Sequence, residues 1–169
     1  TGDPQRSAQL DLAATLQRSA KGKWRAPDLR MGAILGGAPL REALALRLTA
    51  DAGFDPAQAR LRLRRLMLEG DPVQLRGELT LARGDDAVPV LGAQLRLERL
   101  DARALATLFG QTLTTADPQA LTRIEGELDV GANTSAINLA RVDLAVDGSH
   151  WHGPPRVSDF SDPALRFAL

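Results

Sequence analysis

The chain has 169 residues, no cysteine, and 21 lysines plus arginines against 21 aspartates plus glutamates. That length suits one domain with a sizeable core. The missing cysteines exclude disulfides, thiolate nucleophiles and cysteine-based metal sites, and the balanced charge leaves no positive excess to hold a nucleic-acid backbone.

Aromatic residues make up only 4% of the sequence, so leucine, alanine and valine must supply most of the apolar surface. The longest uncharged run, residues 31–40 (MGAILGGAPL), is about half of the roughly 20 residues that span a bilayer, and glycine and proline break it. No membrane crossing is expected within these residues. Thr1 is not an initiator methionine and no signal peptide follows it. The chain therefore reads as an excised segment or a processed product whose targeting sequence lies outside it.

In chain order, the first signal is alternation with period two at Leu10, Leu12, Ala14 and Leu16. Successive side chains on a strand point to opposite faces, so such a run puts its leucines on one face and its polar residues on the other. Residues 18–30, with Lys21-Gly22-Lys23 and Ala26-Pro27, read as a turn followed by an edge strand. Residues 41–48 (REALALRL) combine helix propensity with period-two leucines at Leu44, Leu46 and Leu48; the periodicity favours a strand. Asp55-Pro56 reads as a turn. Alternation resumes at Val73, Leu75, Gly77, Leu79 and Leu81. Turn chemistry at Gly70-Asp71-Pro72, Arg83-Gly84-Asp85-Asp86, Gly131-Ala132-Asn133 and Asp147-Gly148 separates the apolar runs. These features predict half-buried strands of an antiparallel sheet.

Three strands break the rhythm with a step of three: Leu63 to Leu66, Leu97 to Leu100, and Leu139 to Val142. A step of three would flip the leucines to the other face unless one extra residue is absorbed, which is what a β-bulge does. Bulges are therefore expected near Arg64-Arg65, Glu98-Arg99 and Ala140-Arg141. The shared phrase L-x-L-x-x-L hints at an internal repeat. Two short helices are predicted, at about 101–110 and 117–124. Asp101 caps the first and Gly110 stands at its left-handed end; Asp117-Pro118 opens the second. Asp162-Pro163 reads as a turn. The chain thus divides into a strand meander over 1–100, a helical insert at 101–124 and strands over 124–169, forming a mainly β fold with a curved, groove-like antiparallel sheet.

Candidate chemistry is sparse. His150-Trp151-His152 would project two imidazoles from one strand face near Asp147 and Asp159, a partial ligand set without a recognisable third or fourth member. Asp85 and Asp86 point to opposite faces if on a strand and have turn composition. No nucleophile elbow, tyrosine, P-loop or dinucleotide fingerprint occurs. No catalytic residue, metal site or cofactor is expected. Arg60, Arg62 and Arg64 alternate against Leu61 and Leu63. They read either as the solvent side of a strand or as guanidinium forks for anionic headgroups at a groove rim.

From the lead-in L-x-L-x-x-L-D ending at Asp101, the chain resembles the AsmA family of Gram-negative envelope proteins. The matching elements are the helix ARALATLFG, the T-T-A-D-P-x-A-L segment at 114–121, the I-N-L strand at 137–139, the V-D-G turn from Val146, and D-F-S-D-P-A-L-R-F at 159–167. The likeness covers roughly the last 75 residues; upstream only the texture of strands matches. It implies a periplasmic body anchored in the inner membrane by a helix outside these residues. It also implies a part in outer-membrane biogenesis or phospholipid transport, similar to bridge-like lipid-transfer proteins with an apolar groove. The family's anchor and its continuation past Leu169 are not in this sequence, and the family offers no catalytic residues to carry over.

The expected ligand is then phospholipid or another envelope lipid, held along Leu61, Leu63, Leu75, Leu79, Leu95, Leu97, Leu128, Leu139 and Leu144. Other envelope proteins are expected as partners and nucleic acid is not. Removing a 16-carbon chain from water is worth about 13 kcal/mol at ~0.8 kcal/mol per methylene, so a carrier must offer a continuous apolar trough. Alternation alone favours an ordinary sandwich in which the same leucines face a second layer; the resemblance turns the expectation to an open trough. A further reading is a structural scaffold that binds another envelope protein through its sheet edges.

Overall fold

The computed structural model describes residues 7–84, 88–133, 136–152, 156–158 and 164–166, with side chains described at 7–84, 88–133, 138–150 and 152. The elements are β1 (Ser7–Ala13), β2 (Gln17–Arg18), β3 (Trp24–Gly36), β4 (Leu44–Asp55), a 3₁₀ turn (Pro56–Gln58), β5 (Arg60–Gly70), β6 (Val73–Arg83), β7 (Pro89–Leu100), α1 (Ala102–Leu108), β8 (Ile124–Ala132), β9 (Ala136–Val146), β10 (Ser149–His152), β11 (Arg156–Ser158) and β12 (Ala164–Arg166). All strands join one open antiparallel sheet in the order β1-β3-β4-β5-β6-β7-β8-β9-β11-β12. In addition, β2 lies beside β3 and β10 beside β9. The mainly β class expected from the alternation is observed, as one antiparallel sheet that is not closed, and residues 44–55 are strand, as the period of their leucines requires.

The sheet is a single layer. Among the described residues only Ala26, Ala50, Leu66, Ala93 and Leu97 of the apolar set are buried, at 5–8% exposure, and no large side chain is fully withdrawn from solvent. The whole chain exposes 12068 Å². A compact globule of 18.1 kDa would expose about 8,100 Å² by the scaling of surface with mass.

All three expected bulges form. The register steps between Leu63 and Leu66 in β5, between Leu97 and Leu100 in β7, and across Ala140 in β9. A fourth bulge falls between Ala26 and Leu29 in β3, so every second strand of the meander carries one. The extra residues keep the leucines before and after each step on the same face. The segment at 24–28 is not an edge strand as expected. It pairs with β4 on one side and, at Trp24 and Arg25, with β2 on the other. Pro27, which has no N–H for the ladder, sits within the bulge, where none is required.

The first helix begins as read. The Asp101 carboxylate accepts from the Ala104 N–H at 2.8 Å, and Gly110 adopts φ 72°. Gly110 donates to the Thr107 carbonyl and Gln111 to that of Ala106, the paired bonds of a Schellman ending. Losing the cap in Asp101→Ala should cost about 1 kcal/mol, read as a lower urea midpoint by circular dichroism.

The second predicted helix is absent: residues 117–124 make turns and then the start of β8. Asp117 Oδ1 accepts from Gln119 N–H, and Leu121 takes a left-handed φ of 65°. Both Leu121 and Arg123 N–H donate to the Asp147 carboxylate, which holds the stretch in turns and keeps a helix from forming. Arg103 pins this segment to α1 by donating to the carbonyls of Leu113 (3.0 Å) and Ala120 (3.3 Å) and to Thr115 Oγ1 (2.5 Å).

The helix is a cap at one end of the sheet rather than a covering layer. Its links to the sheet run through Asp101 N–H to the Pro72 carbonyl and Arg41 N–H to the Leu108 carbonyl, both at the end where β5 turns into β6. Asp147 (φ 46°) and Gly148 (φ 89°) close the β9–β10 hairpin, with the two left-handed residues that a tight hairpin favours. The turn expected at 131–133 starts later, because Gly131 and Ala132 are still in β8, paired with Asn138 and Ile137. Asp85, Asp86, Asp159 and Asp162-Pro163 lie outside the described residues.

Candidate functional site

The register sorts the side chains into two chemically distinct faces. One row of facing residues runs Leu12, Met31, Leu48, Leu68, Leu75, Leu97, Gly126, Leu144, with no polar side chain from β1 to β9. A parallel row runs Ala52, Leu63, Leu79, Ala93, Val130, Leu139. Between them lie Leu66, Gly77, Leu95, Leu128 and Val142. Phe54, Leu61, Leu81 and Leu91 form a further row at one end. All nine leucines singled out in the sequence, Leu61, Leu63, Leu75, Leu79, Leu95, Leu97, Leu128, Leu139 and Leu144, therefore occupy one face.

Seven inter-strand spacings of about 4.8 Å make that face roughly 34 Å wide across the strands. The hydrocarbon of one bilayer leaflet is about 15 Å thick, half of a ~30 Å core. Most of these leucines are half-buried, shielded by their cross-strand neighbours and not by a second layer.

The opposite face is polar. Arg76 pairs with Glu98 at 2.6 Å, and His152 Nδ1 lies 3.2 Å from Asp143 Oδ1. His150 and His152 stack with ring centroids 6.4 Å apart. They share a face as expected, but it is the one turned away from the leucines. No group of three or more potential metal ligands converges among the described residues.

Arg60, Arg62 and Arg64 stand opposite Asp55, Gly53 and Asp51 and so also face away from the leucines, at the end of the sheet remote from α1. They help to line a cleft of about 900 Å³ walled by the β2–β3 turn and the ends of β3, β4 and β5. Sequence reasoning found these three arginines but missed the rest of the lining. Lys21, Lys23 and Arg25 arrive from a different hairpin, and only the β3–β4 pairing brings them alongside.

Within the cleft Lys23 Nζ contacts Asp55 Oδ2 at 2.8 Å, and Arg65 pairs with Asp51. The hydrogen bond from Lys23, followed by its charge and the Gln58 and Ala57 backbone amides, outweighs desolvation and holds the Asp55 carboxyl below its ordinary value of 3.8. A carboxylate with a lowered folded pKa stabilises the fold above its unfolded pKa, and the contribution disappears as pH falls through the folded value. Lys23→Ala should therefore destabilise the protein more at neutral pH than below pH 3.8, measured by urea unfolding at both; an equal effect at the two pH values would oppose this assignment.

The class that fold and surface define is an open, single-layer amphipathic β-sheet: leucine on one side, charge on the other, a small helical cap at one end and a basic cleft at the other. Comparison with protein-family models, with curated proteins and with solved structures gives no match. Among the described residues no helix is long and apolar enough to cross a membrane.

Proposed function

We propose that this chain is a non-enzymatic segment of an AsmA-like envelope protein that takes part in phospholipid transport or outer-membrane biogenesis, holding acyl chains along its leucine face. The carrying observation is the uncovered apolar surface that continues across eight strands. An acyl chain laid over it would restore the second layer that the sheet lacks and recover the apolar burial that a folded domain normally supplies for itself. Leucine without interspersed aromatics suits a flexible tail better than a rigid small molecule. The resemblance of the segment from Leu95 onward supports a periplasmic setting, with an inner-membrane anchor elsewhere in the protein.

Delipidated protein incubated with fluorescent phospholipid should retain it through gel filtration. Recovery of lipid-free protein at saturating phospholipid would count against the reading. A second reading, a scaffold that docks another envelope protein by strand addition, has one observation in its favour. The outer edge of β1 has no partner among the described residues, and Leu10 and Leu12 on it are 63% and 67% exposed. Mass spectrometry of small molecules extracted from the purified protein separates the two, because only the first requires bound lipid.

A further inference from the structure

We infer that the end of the sheet bearing the basic cleft docks onto an anionic phospholipid bilayer, with headgroup phosphates entering the cleft. The chain as a whole is neutral, yet the cleft gathers seven cations against the carboxylates of Asp51 and Asp55. Two of the cations are taken by ion pairs, Lys23 with Asp55 and Arg65 with Asp51. Lys21, Arg25, Arg60, Arg62 and Arg64 line the same cleft with no carboxylate partner among the described residues. An excess of five positive charges in one recess of a neutral molecule implies a matching negative excess elsewhere. Such a polarised molecule is oriented by an anionic surface, and arginine forks suit phosphate oxygens.

The second observation identifies that surface as a bilayer. Trp24 and Phe54, cross-strand partners at the same end of the sheet, line the cleft and are 39% and 43% exposed. Arg18 lies over the Trp24 ring at 5.5 Å. By register these aromatics belong to the leucine face, continuous with Leu61 and Leu81, while Arg60, Arg62 and Arg64 belong to the other face. A single-stranded nucleic acid would use these aromatics as a stacking platform, but here they run on into rows of leucine that offer its bases no partner. An edge where a cluster of cations adjoins exposed aromatics, which in turn lead into a leucine face, matches the layered polarity of a membrane interface. The inference goes beyond acyl-chain holding, since docking requires no lipid to leave the bilayer.

The test is co-sedimentation with vesicles of phosphatidylcholine alone or with about a third phosphatidylglycerol, at low and high salt. Each cation near an anionic surface is worth roughly fivefold, so Arg60→Gln/Arg62→Gln/Arg64→Gln should weaken binding to the anionic vesicles about 100-fold. Wild-type binding to neutral vesicles should be weak, and high salt should reproduce the loss. Trp24→Ala/Phe54→Ala should weaken binding at both salt concentrations. In a Trp151→Phe background, the remaining Trp24 emission should shift to the blue on anionic vesicles. Equal binding to neutral and anionic vesicles, no binding to either, or preference for a single-stranded oligonucleotide over the vesicles would overturn the inference. So would saturation of the cleft by millimolar inorganic phosphate without any vesicle binding. Each variant is checked by circular dichroism, and lipid retention through gel filtration is measured in parallel, so that loss of docking and loss of acyl-chain holding register separately.

Discussion

Gly126→Ala should lower the stability of the protein by about 2–5 kcal/mol, combining the cost of a positive φ that glycine adopts freely and alanine does not with that of overpacking. Gly126 has φ 151° and lies in β8 between Leu97 and Leu144. A Cβ there would meet the Asp143 carbonyl oxygen at 1.9 Å, so it would be driven into the neighbouring strand. Gly77 repeats the arrangement in β6, with φ 155° and the Gln94 carbonyl oxygen 2.0 Å from a Cβ. Both glycines stand beside bulges in the adjoining strand. Gly92 is the control: it lies mid-strand in β7 with nothing within 4 Å of a Cβ, so Gly92→Ala should be neutral or stabilising by less than about 1 kcal/mol. Urea midpoints for Gly126→Ala, Gly77→Ala and Gly92→Ala decide the matter, and a Gly126→Ala midpoint equal to that of Gly92→Ala would sink the argument.

The second large effect concerns the leucine face. Leu63 and Leu79 are direct cross-strand partners in its middle rows, and both are half-buried. Leu63→Glu/Leu79→Glu should reduce phospholipid retention by ten- to a hundredfold. Fully covering a leucine is worth about 1.5–3 kcal/mol, so two already half-buried leucines gain about that much between them when hydrocarbon covers them, and roughly 1.4 kcal/mol changes affinity tenfold. The sheet itself should survive, because a side chain already partly in water loses less than a core residue. Gln94→Glu, an equivalent negative charge on the exposed polar face, should leave retention unchanged. If the paired glutamates retain lipid as well as wild type does, the leucine face is not where the tails lie.

Much of the sheet is legible in the sequence because its physics is local. Alternation gives the strands, and a step of three from Leu63, Leu97 or Leu139 announces an inserted residue. The same step from Ala26 to Leu29 is masked by Pro27, which reads as the mark of an edge. The missing second helix has a different cause. Asp117-Pro118 is a valid start signal, but what stops the helix is the Asp147 carboxylate, 26 residues beyond Leu121, and no local pattern contains that. The shared face of the nine leucines follows from their parity once the bulges are placed. The cleft does not, since three of its seven cations come from a separate hairpin, and the alternation of Arg60, Arg62 and Arg64 says only that they share a side.

The bulges in alternate strands answer a problem that leucine repetition creates. A hairpin that slides by two residues keeps every leucine on its original side, so the apolar pattern cannot oppose such a slip, and a meander of near-identical strands would have several equivalent alignments. An inserted residue in β5, β7 or β9 fits its neighbour at one position only. Beside two of those positions the adjoining strand has Gly77 and Gly126, where no side chain could stand. Sliding would set the insertion against an ordinary residue and carry the glycine away from the one place that needs it. The kinks thus act as alignment pins that let a monotonous sequence close its hairpins in a single arrangement.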